Sequence, residues 1–321
     1  MKIGMVTDSL SHLEFNEMLT TASKLGIEAL EFCTGNWSNS PHIDLDRMLN
    51  NREHRNAFIS AIKEQGLSIA ALNCNGNQLH PIHGKEHDKV VRDTIKLSSL
   101  MNLPIVVLMS GLPGGSPTDT TSNWVVTSWP PETQKILEYQ WNEVAIPYWK
   151  DLADYAKSLN VKLAIELHGA QLAYNVRSFL KLRHHIGDTI GVNLDPSHQI
   201  WQGADILTII RELHGMIYHT HIKDTWINKN ICNKNGILDT QPPEFAYNRS
   251  WNFITLGIGQ NGGEQFWSRF CYELRNAGYD GILSIEQEDV LVNAVEAVDK
   301  NVNILKNSML IGAPTWKPAD I

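Results

Sequence analysis

The chain is poor in cysteine, carries no excess of basic charge and has no long apolar run. Only Cys33, Cys74, Cys232 and Cys271 occur among 321 residues, scattered and with no CxxC spacing. That argues against a disulfide framework or a cysteine-built zinc module and for reduced thiols. Lys and Arg number 27 against 35 Asp and Glu, a formal net charge of -8, a balance unfavourable to nucleic acid or an anionic membrane as main partner. No stretch approaches the ~18 consecutive apolar residues of a membrane-spanning helix. The opening "MKIGMVTDSL" lacks the apolar core of a secretion signal, so a cytoplasmic location is expected. No GxGxxG follows the first apolar run, and "GLPGGSP" (111–117) lacks the Lys-Ser/Thr of a phosphate-binding loop; it reads as a turn.

Eight short β-like runs are present: 2–8, 29–34, 68–76, 105–111, 162–169, 190–198, 217–224 and 281–289. Near-continuous Val, Ile, Leu and Ala suit parallel strands covered on both faces. Segments of helical length separate them, two ending in a Gly suited to a helix C-terminus, "EFNEMLTTASKLG" and "REHRNAFISAIKEQG". Residues 132–159 predict one extended or two consecutive helices, with Pro147 as a break or first-turn residue. Eight strands alternating with helices predict a single-domain (β/α)8 barrel over 1–307, with 308–321 as a C-terminal extension. A doubly wound open sheet is the alternative. Two long connections, 111–131 and 225–261, follow the fourth and seventh runs, on the face where such barrels build their sites. They carry Trp124, Trp129, Trp226 and Trp251, rings suited either to stacking on sugars and flat aglycones or to pinning the loops down.

The last four runs end in side chains of one chemical kind. The fifth supplies Glu166 and His168; the sixth, Asp195 and His198; the seventh, His219, His221, Lys223 and Asp224; the eighth, Glu286, Glu288 and Asp289. Residues two apart on a strand share a face. One carboxylate from each of the fifth, sixth and eighth runs and one imidazole from the seventh would form an O3N site for a divalent cation, Mn2+, Co2+, Mg2+ or Zn2+. Without a cation the carboxylates would repel, and one or more would protonate.

The motifs "IELHG", "NLDPSH", "HTHIKD" and "LSIEQED" resemble those of the xylose-isomerase-like barrel superfamily over about residues 1–305. That group includes sugar isomerases, ketose 3-epimerases and an endonuclease branch. The resemblance implies Glu166, Asp195, His221 and Glu286 as metal ligands, Mn2+ being favoured, with His198 on the substrate. The endonuclease branch fits least, because "LMSG" supplies no His and no Asp-x-His occurs in 225–280. Ketose 3-epimerases carry a substrate-binding Glu where Leu172 stands here. His168 and the loop "NQLHPIHGKEHD", with His80, His83 and His87, offer other polar groups. His80 is expected in the site, His83 near the substrate and His87 on the following helix.

"GLPGGSP", "SWPPETQKILEYQWNEVAIPYW" and "RSWNF" further resemble catalytic α subunits of bacterial C-glycoside deglycosidases. That subset implies a 3-oxo-glycoside substrate and a small β subunit in a higher oligomer. The shared chemistry is proton abstraction beside a sugar carbonyl polarised by the metal. The expected outcome is β-elimination of an aglycone; isomerisation or epimerisation of a keto-sugar is the alternative, and a non-catalytic sugar-binding barrel a remote one. The expected catalytic groups are Glu166, Glu286, His168 and His80. His198, His83, Lys223, Trp124 and Trp251 are expected on the substrate. No Arg/Lys cluster marks a phosphate, although Lys223, Arg249 and Lys85 could reach one.

Overall fold

A computed structural model describes residues 1–260 and 262–317. In chain order its strands are β1 (Lys2–Val6), β2 (Ala29–Cys33), β3 (Ser68–Asn73), β4 (Ile105–Met109), β5 (Lys162–Glu166), β6 (Ile190–Leu194), β7 (Ile217–Ile222), β8 (Asp224–Ile227), β9 (Trp251–Ile254) and β10 (Ile282–Ile285). Eight of them close a barrel in the order β1-β10-β7-β6-β5-β4-β3-β2, every neighbouring pair parallel. This is the expected (β/α)8 architecture. All eight runs become strands because helices cover them outside and side chains fill them inside, so both faces lose apolar area to the core.

Alternation grades the barrel interior. Ala71, Val107 and Ala164 form a small buried cluster inside. One step of two residues up the same strands stand Asn73, Met109 and Glu166, which line a cavity. Apolar residues thus fill the centre while polar ones reach the mouth. Gly191 on β6 makes room for an aromatic ring: a Cβ there would lie 2.3 Å from the Tyr218 ring. At the helix–barrel interface Trp149 is fully buried and donates its indole N–H to Ser110 O at 3.0 Å.

Residues 132–158 form two helices, Glu132–Glu138 and Ile146–Ser158, joined by a π-helical turn Tyr139–Ala145. Pro147 lies in the first turn of the second, directly after the π-helical turn. The connection after β7 is more ordered than its reading as a long loop implied. β8 leaves the barrel one residue after β7 and pairs antiparallel with β9, Asp224 opposite Ile254 and Ile227 opposite Trp251. Asp224 secures the turn: Oδ1 accepts from Thr225 N–H and Oδ2 from the N–H groups of Gly257 and Gly259. The last helix, Ala294–Ser308, packs on the barrel, and residues 309–317 continue without helix or strand. Residues 318–321 of the expected extension lie outside the described residues. Among the described residues no helix is long and apolar enough to cross a membrane.

Candidate active site

Polar groups converge over the barrel axis at the C-terminal ends of the strands. Glu166 ends β5, and its Oε2 accepts from Asn75 Nδ2 at 2.9 Å and Asn193 Nδ2 at 3.2 Å. Asp195 follows β6 directly and caps the short helix Pro196–Trp201, Oδ1 accepting from Ser197 N–H at 2.8 Å. Its Oδ2 is buried and has no hydrogen bond, although Lys223 Nζ lies at 3.1 Å and His198 Nε2 at 3.3 Å. Glu286 follows β10, and His221 projects from β7.

Each of Glu166, Asp195, His221 and Glu286 offers one ligand atom, all within 4.8 Å of one another. The orientation of His221 makes this arrangement specific. Its Nε2 is taken by Glu31 Oε1 at 2.9 Å. Its Nδ1 points between Glu166 Oε2 at 3.2 Å and Glu286 Oε2 at 3.3 Å, yet makes a hydrogen bond to neither. An imidazole nitrogen held among carboxylates in this way suits a shared cation, and the O3N donor set fits a hard-to-borderline divalent metal. Burial alone would lower the His221 pKa, but Glu31, Glu286 and Glu166 raise it well above the ordinary value; a proton and a metal compete for the same place.

Glu31 is the main residue that sequence reading missed. It is fully buried on β2, and four donors fill its two oxygens: Asn73 Nδ2 and His221 Nε2 on Oε1, His219 Nε2 and Ser284 Oγ on Oε2. Burial would raise its pKa, but His221 and His219 hold it well below the usual carboxylate value. The sequence signal was a single carboxylate inside the apolar run "ALEFC". His219 thus turns to Glu31 and away from the four-residue cluster.

Lys223 is an internal counter-ion. Its Nζ lies 2.6 Å from Glu286 Oε2 and 2.8 Å from Glu288 Oε2, and 4.5 Å from the centre of the Phe253 ring. Burial would depress its pKa, but Asp195, Glu286 and Glu288 raise it instead. His198 Nε2 sits 3.2 Å from Glu166 Oε1, and its ring centre is 4.0 Å from that of His168. The two imidazoles differ in charge: burial and the neighbouring His198 lower His168 to about 4, whereas Asp195 overcomes burial and raises His198 to about 9.

A cavity of about 350 Å³ opens over these groups, lined by Glu166, His168, His198, Lys223, Glu286 and Asp8 among others. Asp8 was also missed; burial raises its pKa, and its Oδ1 is buried without a partner. Of the residues expected to act in catalysis or on the substrate, four stand outside this lining. His80 Nδ1 accepts from the N–H groups of Ile82 and His83, which folds the ring into its own turn. His83 is exposed beside the helix Gly84–Leu100 and near Glu86. Trp124 meets Tyr174 edge-on in a separate cavity. Trp251 stacks on Trp201 at 4.8 Å under the Arg249 guanidinium.

Residues 19–308 match the family described as xylose isomerase-like TIM barrel. The chain belongs to that family. A relative from Bacillus subtilis (strain 168), "Uncharacterized protein YfiH", is 42% identical over 313 residues, covering 96% of this chain and 99% of that protein. Solved structures share the fold at low identity. The probable 3-DHS dehydratase AsbF of Bacillus anthracis has a TM-score of 0.67 at 16% identity, covering 95% of this chain and 99% of its own. The IOLI protein, solved with a zinc atom, has a TM-score of 0.65 at 16% identity, covering 97% and 100%. An L-ribulose 3-epimerase has a TM-score of 0.63 at 15% identity, covering 96% and 94%.

Proposed function

We propose that the protein is a divalent-metal-dependent enzyme that removes a proton next to the carbonyl of a keto-sugar and returns it as an isomerase or epimerase. The observation that carries this reading is the inward-facing Nδ1 of His221 among Glu166, Asp195 and Glu286. These four residues would hold the metal, with Mn2+ the favoured ion and Co2+, Mg2+ and Zn2+ compatible with the same donors. Bound there, the metal would polarise the carbonyl and stabilise the charge that develops as the adjacent C–H ionises. The 350 Å³ cavity suits a monosaccharide.

Glu166 and Glu286 come from β5 and from the end of β10, and they serve as the proton-transfer pair, one for each face of the reacting carbon. His198 and Lys223 donate hydrogen bonds to sugar oxygens, and Lys223 also offsets negative charge on the carboxylates. His168, uncharged near neutral pH, is the nearest alternative base.

The second reading is β-elimination from a 3-oxo-C-glycoside. The close pair His168 and His198 favours it, because elimination needs an acid for the leaving group beyond the carboxylates. Its aglycone room was expected from Trp124 and Trp251, which lie outside the cavity. For that reason the isomerase reading comes first. NMR of the purified chain with Mn2+ in D2O tests both. Deuterium entering a free ketose, with a new sugar appearing, supports isomerisation or epimerisation. Aglycone release from a 3-oxo-C-glycoside, without exchange into any ketose, overturns it in favour of elimination, and a requirement for a second subunit would appear in that arm. No exchange into any of a panel of free ketoses, with metal bound, refutes the isomerase reading.

A further inference from the structure

Among the described residues a second cavity shares no lining residue with the one over the carboxylate cluster. It encloses about 530 Å³ against about 350 Å³. Both open on the same end of the barrel, since the second is lined by residues that follow β4, β5 and β6, such as Leu112, Gln171 and Gln199. Three of its walls are aromatic: Trp124, Trp141 and Tyr174.

An apolar recess alone identifies no ligand, but this one contains buried polar groups without partners. Gln171 is 1% exposed and lines the cavity, and neither its Oε1 nor its Nε2 has a hydrogen bond. Trp124 Nε1 is likewise buried and unpartnered. Gln140, also in the wall, spends its Nε2 on Pro113 O, Gly114 O and Asn123 O and leaves Oε1 unmatched. A fold that buries an amide and leaves both ends unmatched loses stability unless something else satisfies it.

The charge of that ligand follows from one edge. The first turn of the helix Val176–Ile186 lines the cavity, its Asn175 cap spent on Ser178 N–H. The other N–H groups of a first turn have no partner inside the helix, and the local dipole favours an anion. Arg177 and Lys181 line the same edge, and neither forms an ion pair among the described residues; Lys181 Nζ lies 4.5 Å from the centre of the Trp141 ring.

We propose that this cavity is a binding site for a flat aromatic carboxylate of about two fused rings. The ring lies against Trp124, Trp141 and Tyr174, a polar ring substituent meets Gln171, and the carboxylate meets the helix start beside Arg177 and Lys181. The site is separate from the metal cluster, and it does not depend on which reaction that cluster performs.

The test uses 6-hydroxy-2-naphthoate as probe and the full chain, read by calorimetric titration. One saturable site is expected, accompanied by a rise in Tm. Gln171→Leu weakens it by at least about tenfold. Lys181→Glu, at an exposed position, weakens it about threefold or more. 2-Naphthol, which has the rings without the carboxylate, binds more weakly than the probe. Glu166→Gln binds the probe within about twofold of wild type, because its side chain belongs to the other cavity. The proposal is overturned by no saturable binding at millimolar probe, by wild-type affinity in both Gln171→Leu and Lys181→Glu, or by loss of binding in Glu166→Gln. Lys181→Glu keeps the test decisive if Gln171→Leu does not fold.

Discussion

Replacing Glu31 with Gln tests the architecture of the site without touching a residue that would meet substrate. The Glu31 carboxylate accepts four hydrogen bonds, two on each oxygen, from Asn73, His221, His219 and Ser284. An amide keeps one oxygen and turns the other position into a donor, so two of the four donors lose their acceptor. At about 1–3 kcal/mol for each buried group left unpaired, folding stability falls by about 2–6 kcal/mol. The second effect is on His221. Without a carboxylate on Nε2, the ring is no longer fixed in the tautomer that presents Nδ1 to the carboxylates, and metal affinity drops about 10–100-fold, or about 1.4–2.8 kcal/mol.

Competition against a chromophoric chelator measures the affinity, and denaturant unfolding measures the stability. Acid adds a check of sign. His221 and His219 overcome burial to hold Glu31 below its ordinary value of 4.5, so its contribution is fully present above that value and fades as the folded protein is acidified through the lower one. The gap between wild type and variant therefore narrows in acid. An affinity within about twofold of wild type in a folded variant would refute the claim that Glu31 sets the His221 orientation.

Four other outcomes follow from the same geometry. Asp195→Ala removes bound metal while the far-ultraviolet circular dichroism stays native, whereas His198→Ala keeps the metal and loses turnover; metal analysis of the purified variants separates the two roles, and retention in Asp195→Ala removes that residue from the ligand set. Lys223→Met tightens Mn2+ binding, because the ammonium 2.6 Å from Glu286 and 3.1 Å from Asp195 competes with the cation; weaker binding would mean that Lys223 instead holds the ligands in place. Asp224, raised by burial to about 6 from 3.8, lends stability below the lower value that is lost as pH rises through the upper one; unfolding across this range should be less pH-dependent in Asp224→Asn, and an equal slope refutes the shift. Gly191→Ala, whose Cβ would strike the Tyr218 ring at 2.3 Å, lowers stability by about 1–3 kcal/mol, and an unchanged Tm would show that the ring moves aside freely.

The barrel was legible because each buried parallel strand is a compact apolar run, and because the carboxylates and imidazoles close those runs in turn. Asp195 and His198 could be placed from Pro196, which ends the strand between them and opens a helix. Glu31 could not be given a role that way. Its four partners come from β3, β7 and β10, separations that no local period encodes. His80 and His83 lie outside the cavity lining. Their chemistry was attractive, but a turn in which His80 Nδ1 caps two backbone N–H groups decides where the rings point. Trp124 and Trp251 stand outside that cavity for a related reason: a tryptophan goes where it can bury its rings, and here that is against Tyr174 and Trp201. The β8–β9 pair went unread because four-residue strands of mixed polarity are too short to show an alternation.

That hairpin has a bearing on how the chain acquires new specificity. β8 and β9 bond only to each other within the sheets, so the segment between them is carried by a stalk that takes no part in closing the barrel. Its foot is Lys223 and Asp224, immediately beyond β7, and Phe253 on β9 covers the Lys223 ammonium. Insertions and exchanges between Asn228 and Ser250 can therefore accumulate while the eight-stranded wall remains intact. Lys223 at its foot and Phe253 on its second strand both line the cavity, so a change carried down the stalk reaches the cavity wall without passing through the barrel strands.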